Sequence, residues 1–122
     1  MRVKHHNLEA WRESVKLVKT IYQGTASFPK QELFGLTSQI RRSAVSIPSN
    51  IAEGAARFTQ QDFLRFLGIA RGSLMELETQ LIIASEAGFM EKPQFKEIAA
   101  QIERVFALLS GLITSTRAKC NR

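Results

Sequence analysis

Apolar residues recur every three or four positions along almost the whole chain, with polar residues between them. Leu8, Trp11, Val15, Val18 and Tyr22 lie at spacings of 3, 4, 3 and 4, which places them on one face of a helix. Glu9, Arg12, Glu13, Lys16 and Lys19 take the opposite side. The pattern predicts a first helix over Leu8–Ala26, with Asn7 as its N-cap. A second helix is expected from Pro29, a suitable first-turn residue, to about Ala56. Thr59 with Asp62 three residues on is a variant of the capping box and opens a third helix. Its inner face is Phe63, Phe66/Leu67, Ala70, Leu74, Leu77, Leu81 and Ala84, and Gly88 is its C-cap. Pro93 opens a fourth helix with Phe95, Ile98/Ala99, Ile102, Val105/Phe106, Leu109 and Leu112/Ile113 turned inward. No segment sustains the two-residue alternation of a strand. Four amphipathic helices with short connections predict an all-α fold, an antiparallel up-down-up-down four-helix bundle in one domain.

The second helix carries two unlike stripes. Ile40, Ala44, Ile47 and Ile51 share an apolar face, and Arg42, Ser46, Asn50, Glu53 and Arg57 share a polar one. Pro48 lies among them, where a helix loses the hydrogen bond to the carbonyl four residues back. Ser49 or Asn50 is placed to satisfy backbone groups freed there. Glu53 has Arg57, Arg42 or an arginine of another helix as possible partners. The stripe Arg42, Ser46, Pro48, Asn50, Glu53 and Arg57 therefore reads first as structural or as part of a subunit interface. Contact with nucleic acid or another partner is the second reading, and catalysis the third.

The third helix adds two expectations. Gly68 and Gly72 are four residues apart, and a mid-helix glycine costs roughly 1 kcal/mol relative to alanine. A close approach by another helix would explain the pair. Leu64, Ile69, Met75, Ile82 and Ile83 lie off the main stripe, whereas a bundle buries one stripe per helix. The excess points to a second buried surface, hence to self-association.

Composition narrows the function classes. The 122 residues are 44% hydrophobic and 23% charged, as expected of a soluble globular domain. Cys120 is the only cysteine, so neither a disulfide nor a cysteine-based metal site arises within one chain. The opening Met-Arg-Val-Lys-His-His leads into an amphipathic helix and not an apolar signal-type core, and no run approaches about 18 apolar residues. The expectation is a cytoplasmic protein with no membrane partner. The net charge of +6 is uneven. Residues 1–58 hold nine Lys/Arg against four Asp/Glu, residues 59–116 hold five against seven, and residues 117–122 hold three cations and no acid. A basic front half and tail suit an acidic partner, of which nucleic acid is the commonest.

The stretch from Phe28 to Gly54, with Ile-Pro-Ser-Asn-Ile-Ala-Glu-Gly at its end, resembles the 23S rRNA intervening-sequence protein family, also called the four-helix bundle protein family. Phe63–Leu81 and the opening Leu8-Glu-Ala-Trp11 extend the likeness over nearly the whole chain. The resemblance implies a four-helix bundle assembled as a homopentameric ring. Some members are encoded within intervening sequences of 23S rRNA genes, and many others are bacterial chromosomal genes without an assigned role. The family is similar in turn to the accessory variability protein of diversity-generating retroelements, a basic pentamer that binds nucleic acid and a reverse transcriptase. The resemblance implies no catalytic residues.

Candidate chemistry is mostly that of binding. Arg41, Arg42, Arg57, Arg65 and Arg71 form the main arginine set, suited to bidentate phosphate contacts or to surface ion pairs. Adjacent Arg41 and Arg42 diverge by about 100° and cannot face the same helix. Glu76 and Glu78 are possible acid partners. Lys16, Lys19, Arg41, Arg42, Arg57 and Arg65 are the candidate nucleic-acid contacts. A five-fold assembly would multiply weak phosphate contacts. His5 and His6 lack a third metal ligand at useful spacing and read as part of a solvated basic arm. The flexible ends are expected at about residues 1–6 and 117–122. No phosphate loop, nucleophile elbow or metal-ligand pattern occurs, so no enzyme, cofactor or metal is expected. The leading expectation is a non-catalytic homo-oligomeric scaffold binding RNA or DNA. The alternative is a protein-interaction scaffold with no direct nucleic-acid binding, for a partner such as a nucleic-acid enzyme.

Overall fold

Four helices carry the structure, a computed structural model that describes residues 4–121. They are α1 (Glu9–Thr25), α2 (Leu36–Ala55), α3 (Gln60–Glu86) and α4 (Lys92–Cys120). Each packs against the one before it, and α4 closes onto α1. The diagonal pairs do not pack, so the arrangement is an up-down-up-down bundle. Among the described residues there is no strand.

The core is built from one aliphatic stripe per helix. Ile40, Ala44, Ile47 and Ile51 of α2 are wholly excluded from water, as are Leu67, Ala70, Leu74 and Leu77 of α3. From α4, Ile98, Ile102, Val105, Leu109 and Ile113 complete it. The end of α3 is a Schellman motif: Phe89 N–H donates to the Ala84 carbonyl at 2.9 Å and Gly88 N–H to Ser85 at 3.0 Å. Gly88 holds φ at +82°, a left-handed conformation that side chains resist. The start of α3 is capped by Thr59, whose Oγ1 accepts from Asp62 N–H at 3.1 Å. By length and composition alone α4 is apolar enough to cross a membrane, with a mean hydropathy of 1.3 over its best 18 residues. Here its aliphatic stripe is spent on the bundle core.

The first helix presents a different stripe from the expected one. Its buried residues are Ala10, Ser14, Leu17, Ile21, Gly24 and Thr25. Trp11 and Val18 pack only partly against the core, while Val15 and Tyr22 stay 41% and 45% exposed. Two stripes of the same period compete on this helix. The one with smaller residues wins because it lets the neighbouring helices approach: a Cβ on Gly24 would lie 3.1 Å from Gln94 Nε2 and 3.4 Å from Ile98 Cδ1. The polar members of this stripe are satisfied by their own helix, with Ser14 Oγ donating to Trp11 O and Thr25 Oγ1 to Ile21 O, both at 2.8 Å.

Three further expectations are corrected. Helix α1 is preceded at its cap position by Leu8, not Asn7, because a 3-10 turn over Lys4–Asn7 runs directly into it. The second helix does not start at Pro29. A 3-10 turn over Lys30–Glu32 is followed by a break at Leu33–Gly35, and Glu32 Oε1 accepts from Leu36 N–H at 3.4 Å where α2 begins. Finally, α4 continues through Arg117 and Lys119 to Cys120, so the basic tail is mostly helical. Arg2 and Arg122 lie outside the described residues.

The expected close approach at Gly68 and Gly72 is absent within the protomer. Both glycines are exposed, and an added Cβ would meet nothing within 4 Å. The close approach is at Gly54 instead, where α2 crosses α3.

Candidate functional site

The polar stripe of α2 divides into separate pieces. Asn50 Nδ2 donates to the Ser46 carbonyl at 2.8 Å and to Ser46 Oγ at 2.9 Å. A carbonyl only accepts, so the amide orientation is fixed by chemistry. Ser46 Oγ in turn shares a hydrogen bond with Ser73 Oγ of α3 at 2.8 Å. Beside this chain, Ser43 Oγ donates to Glu76 Oε1 at 2.7 Å. These contacts form a polar seam between α2 and α3. Ser73 was not legible as a member, and Glu76 takes a serine and not an arginine. Glu53 pairs with Arg57 on its own helix at 2.8 Å. Pro48 is buried, and α2 runs on through it. The polar groups of the seam are occupied by one another within the protomer.

Four of the six candidate cations, Arg41, Arg42, Arg57 and Arg65, fall into two groups about 24 Å apart along α2, at roughly 1.5 Å per residue. At one end, Arg41 Nε donates to Thr25 Oγ1 at 2.9 Å, and its guanidinium lies 4.7 Å from the centre of the Tyr22 ring. Arg42 beside it is exposed. With Tyr22, Leu33, Phe34, Ser38 and Val45, the two arginines line an open groove of about 520 Å³. Phe34 is 93% exposed. At the other end, the guanidinium groups of Arg57 and Arg65 lie 4.8 and 4.5 Å from the Phe66 ring centre. Phe58 at the adjacent turn is fully exposed. The helix order brings Lys4, Arg117 and Lys119 to this same end of the bundle.

Ion pairing separates these cations. Among the described residues, carboxylates lie within 4.0 Å of Lys16, Arg57 and Arg104 only. Arg41, Arg42 and Arg65 therefore make no ion pair among the described residues. Lys16 pairs with Glu13 at 3.5 Å, and Lys19 is exposed on α1, three residues before Tyr22. Arg71 is half-buried on α3 and joins neither group.

The histidines are not a loose arm. His5 and His6 pack edge to face at 4.6 Å, and their rings stand 4.9 and 5.2 Å from Trp11. Arg12 donates to the His6 carbonyl at 2.9 Å. Burial, and then the neighbouring charge of His6, hold the His5 imidazole below its ordinary value. Among the described residues no three His, Cys, Asp or Glu side chains converge as metal ligands.

Comparison with known proteins adds the family. The model of the 23S rRNA-intervening sequence protein family matches residues 6–111. Among solved structures, the chain is similar to a protein of unknown function from the S23 ribosomal protein family of Bacteroides thetaiotaomicron. That likeness has a TM-score of 0.76 and 25% identity, and covers 85% of this chain and 97% of the other. No curated protein matches.

Proposed function

This chain belongs to the 23S rRNA-intervening sequence protein family, and from that premise we propose that it is a non-catalytic, homo-oligomeric scaffold that binds nucleic acid in the cytoplasm. The observation that carries the reading is that Arg41, Arg42 and Arg65, which make no ion pair among the described residues, lie beside exposed or cation-bearing aromatic rings. Arginine held against a ring keeps its remaining donors for a planar anion such as phosphate. A chain of +6 charge in several copies would draw a polyanion from a distance.

Self-association rests on surface that the bundle leaves wet. Val15 is exposed on α1, and Ile69, Ile82, Ile83 and Phe106 around α3 and α4. Gly68 and Gly72 fit the same account, since their helical cost finds no return inside one protomer. A neighbouring helix resting on them would supply it. The family resemblance makes a pentamer the expected state.

A salt-titrated gel shift against structured RNA and duplex DNA tests the binding. Affinity is expected to fall steeply as salt rises, because each neutralised phosphate releases counterions. No binding at low salt contradicts the proposal. The second reading is a scaffold for a protein partner, such as a nucleic-acid enzyme. It is favoured by the exposed isoleucines of α3, which offer no charge to a polyanion. A partner that stays bound after nuclease treatment would support it.

A further inference from the structure

We propose that the groove between α1 and α2 takes an unpaired nucleotide: Phe34 stacks on the base, and Arg41 and Arg42 hold the adjoining phosphates. The inference rests on the nucleic-acid reading above and commits it to single-stranded segments.

Four observations carry it. First, Phe34 is almost fully exposed on a connector that is not loose. Leu33 N–H donates to the Lys30 carbonyl at 3.1 Å and Gly35 N–H to the Glu32 carbonyl at 3.0 Å. Glu32 Oε1 accepts from Leu36 N–H. The ring is thus presented from a hydrogen-bonded turn, and stacking on it costs little ordering. Second, Arg41 is set in advance. Its Nε is committed to Thr25 Oγ1 and its guanidinium lies over the Tyr22 ring, contacts that use neither terminal nitrogen, and the residue lines the groove. Third, among the described residues no carboxylate lies within 4.0 Å of Arg41 or Arg42, and none lines the groove. A bound anion therefore displaces no internal partner. Fourth, a groove of about 520 Å³ is within the usual range for a small-ligand site, roughly 300–1,000 Å³.

The geometry discriminates between nucleic-acid forms. In a duplex both faces of each base are covered by neighbours, so an exposed ring finds nothing to stack on. Only an unpaired base offers a face, and such stacking tolerates any base identity. The neighbouring arginines then meet the backbone on either side.

The test uses the whole chain and three variants. Phe34→Trp keeps an aromatic ring and adds a fluorescent reporter. Phe34→Ala removes the ring and Arg42→Gln one charge. Both side chains are exposed, so neither change disturbs the core. The probes are a short oligouridine, the same strand with abasic sites, and duplex RNA. Oligouridine should quench the tryptophan of F34W, and the abasic strand should not. F34A should weaken oligouridine binding by about five- to a hundredfold, the effect of losing one stacked base. Duplex binding by F34A should stay within about twofold. R42Q should lower the salt slope for oligouridine by about 0.7. If F34A and R42Q bind oligouridine as the parent does, this site is wrong while the wider nucleic-acid reading stands. If the parent binds none of the probes at low salt, both fall. If F34A changes the mass of the particle instead of its affinity, the groove is a contact between copies and the inference is overturned.

Discussion

Gly54 and Phe66 lie so close that a Cβ added at Gly54 would stand 2.6 Å from the Cβ of Phe66, with Phe63 Cδ1 at 3.0 Å. Helix α2 ends in this contact, and α3 begins from it. Real Cβ atoms do not sit that near, and the obstruction is the root of a buried phenylalanine, which does not swing aside. Gly54→Ala should therefore destabilise the protein by about 1–3 kcal/mol through overpacking. Chemical denaturation measures it. An unchanged midpoint would mean that α2 and α3 are farther apart than described.

Gly68→Ala and Gly72→Ala should behave in the opposite way within one protomer. Each replaces glycine by the best helix former in open space, which adds roughly 1 kcal/mol to helix stability. If a neighbouring copy rests on these positions, the same double variant raises protomer stability and lowers the mass of the assembly. Thermal melts and sedimentation on one sample read both. Stabilisation with an unchanged mass would place the subunit contact elsewhere.

Much of the fold can be read from the chain, for reasons tied to single residues. The α3 stripe is unambiguous because its aliphatic residues are large and its ends are marked by Thr59 and Gly88. Ile40, Ala44, Ile47 and Ile51 are equally plain, since Pro48 leaves their period intact. Helix α1 is misread because Ala10, Ser14 and Gly24 count as weakly apolar, although smallness is what brings them inside. Leu33 and Phe34 hide the break at Gly35 by continuing an apolar pattern across it. Glycine spacing marks a possible close approach but not the partner, so Gly68 and Gly72 draw attention that belongs to Gly54. The pairing of Arg41 with Thr25 and Tyr22 spans two helices and has no local signal. The same holds for Ser46 with Ser73.

The amide of Asn50 gives a prediction specific to its orientation. Its Nδ2 donates to the Ser46 carbonyl and hydroxyl. Asn50→Ala removes these bonds and should cost about 1 kcal/mol. Asn50→Asp sets a carboxylate oxygen against the carbonyl and should cost more at neutral pH. Part of that excess should disappear when the carboxyl is protonated in acid. Urea melts of both variants at neutral and acidic pH make the comparison. Equal losses at neutral pH would show that the amide does not face Ser46.

The lowered proton affinity of His5 sets a pH dependence. Its folded-state value lies below the unfolded one, so the unfolded state binds the proton more readily. Stability of the Lys4–Asn7 turn is then full above the ordinary histidine value of about 6.5 and is lost as pH falls through and below it. Trp11 packs on both imidazoles, and its fluorescence should report the change with a midpoint under about 6.5. His5→Gln should flatten the response. A midpoint above the ordinary value would reverse the sign and contradict the packing.

The mass of the particle in solution bears most directly on the central claim, that exposed apolar surface gathers copies of this chain and so pools their cations. Native mass spectrometry or sedimentation equilibrium at micromolar concentration should find a multiple of the 13.7 kDa protomer, with five copies the expected number. A stable particle of one protomer mass, with Val15 and the α3 isoleucines left in water, would contradict it.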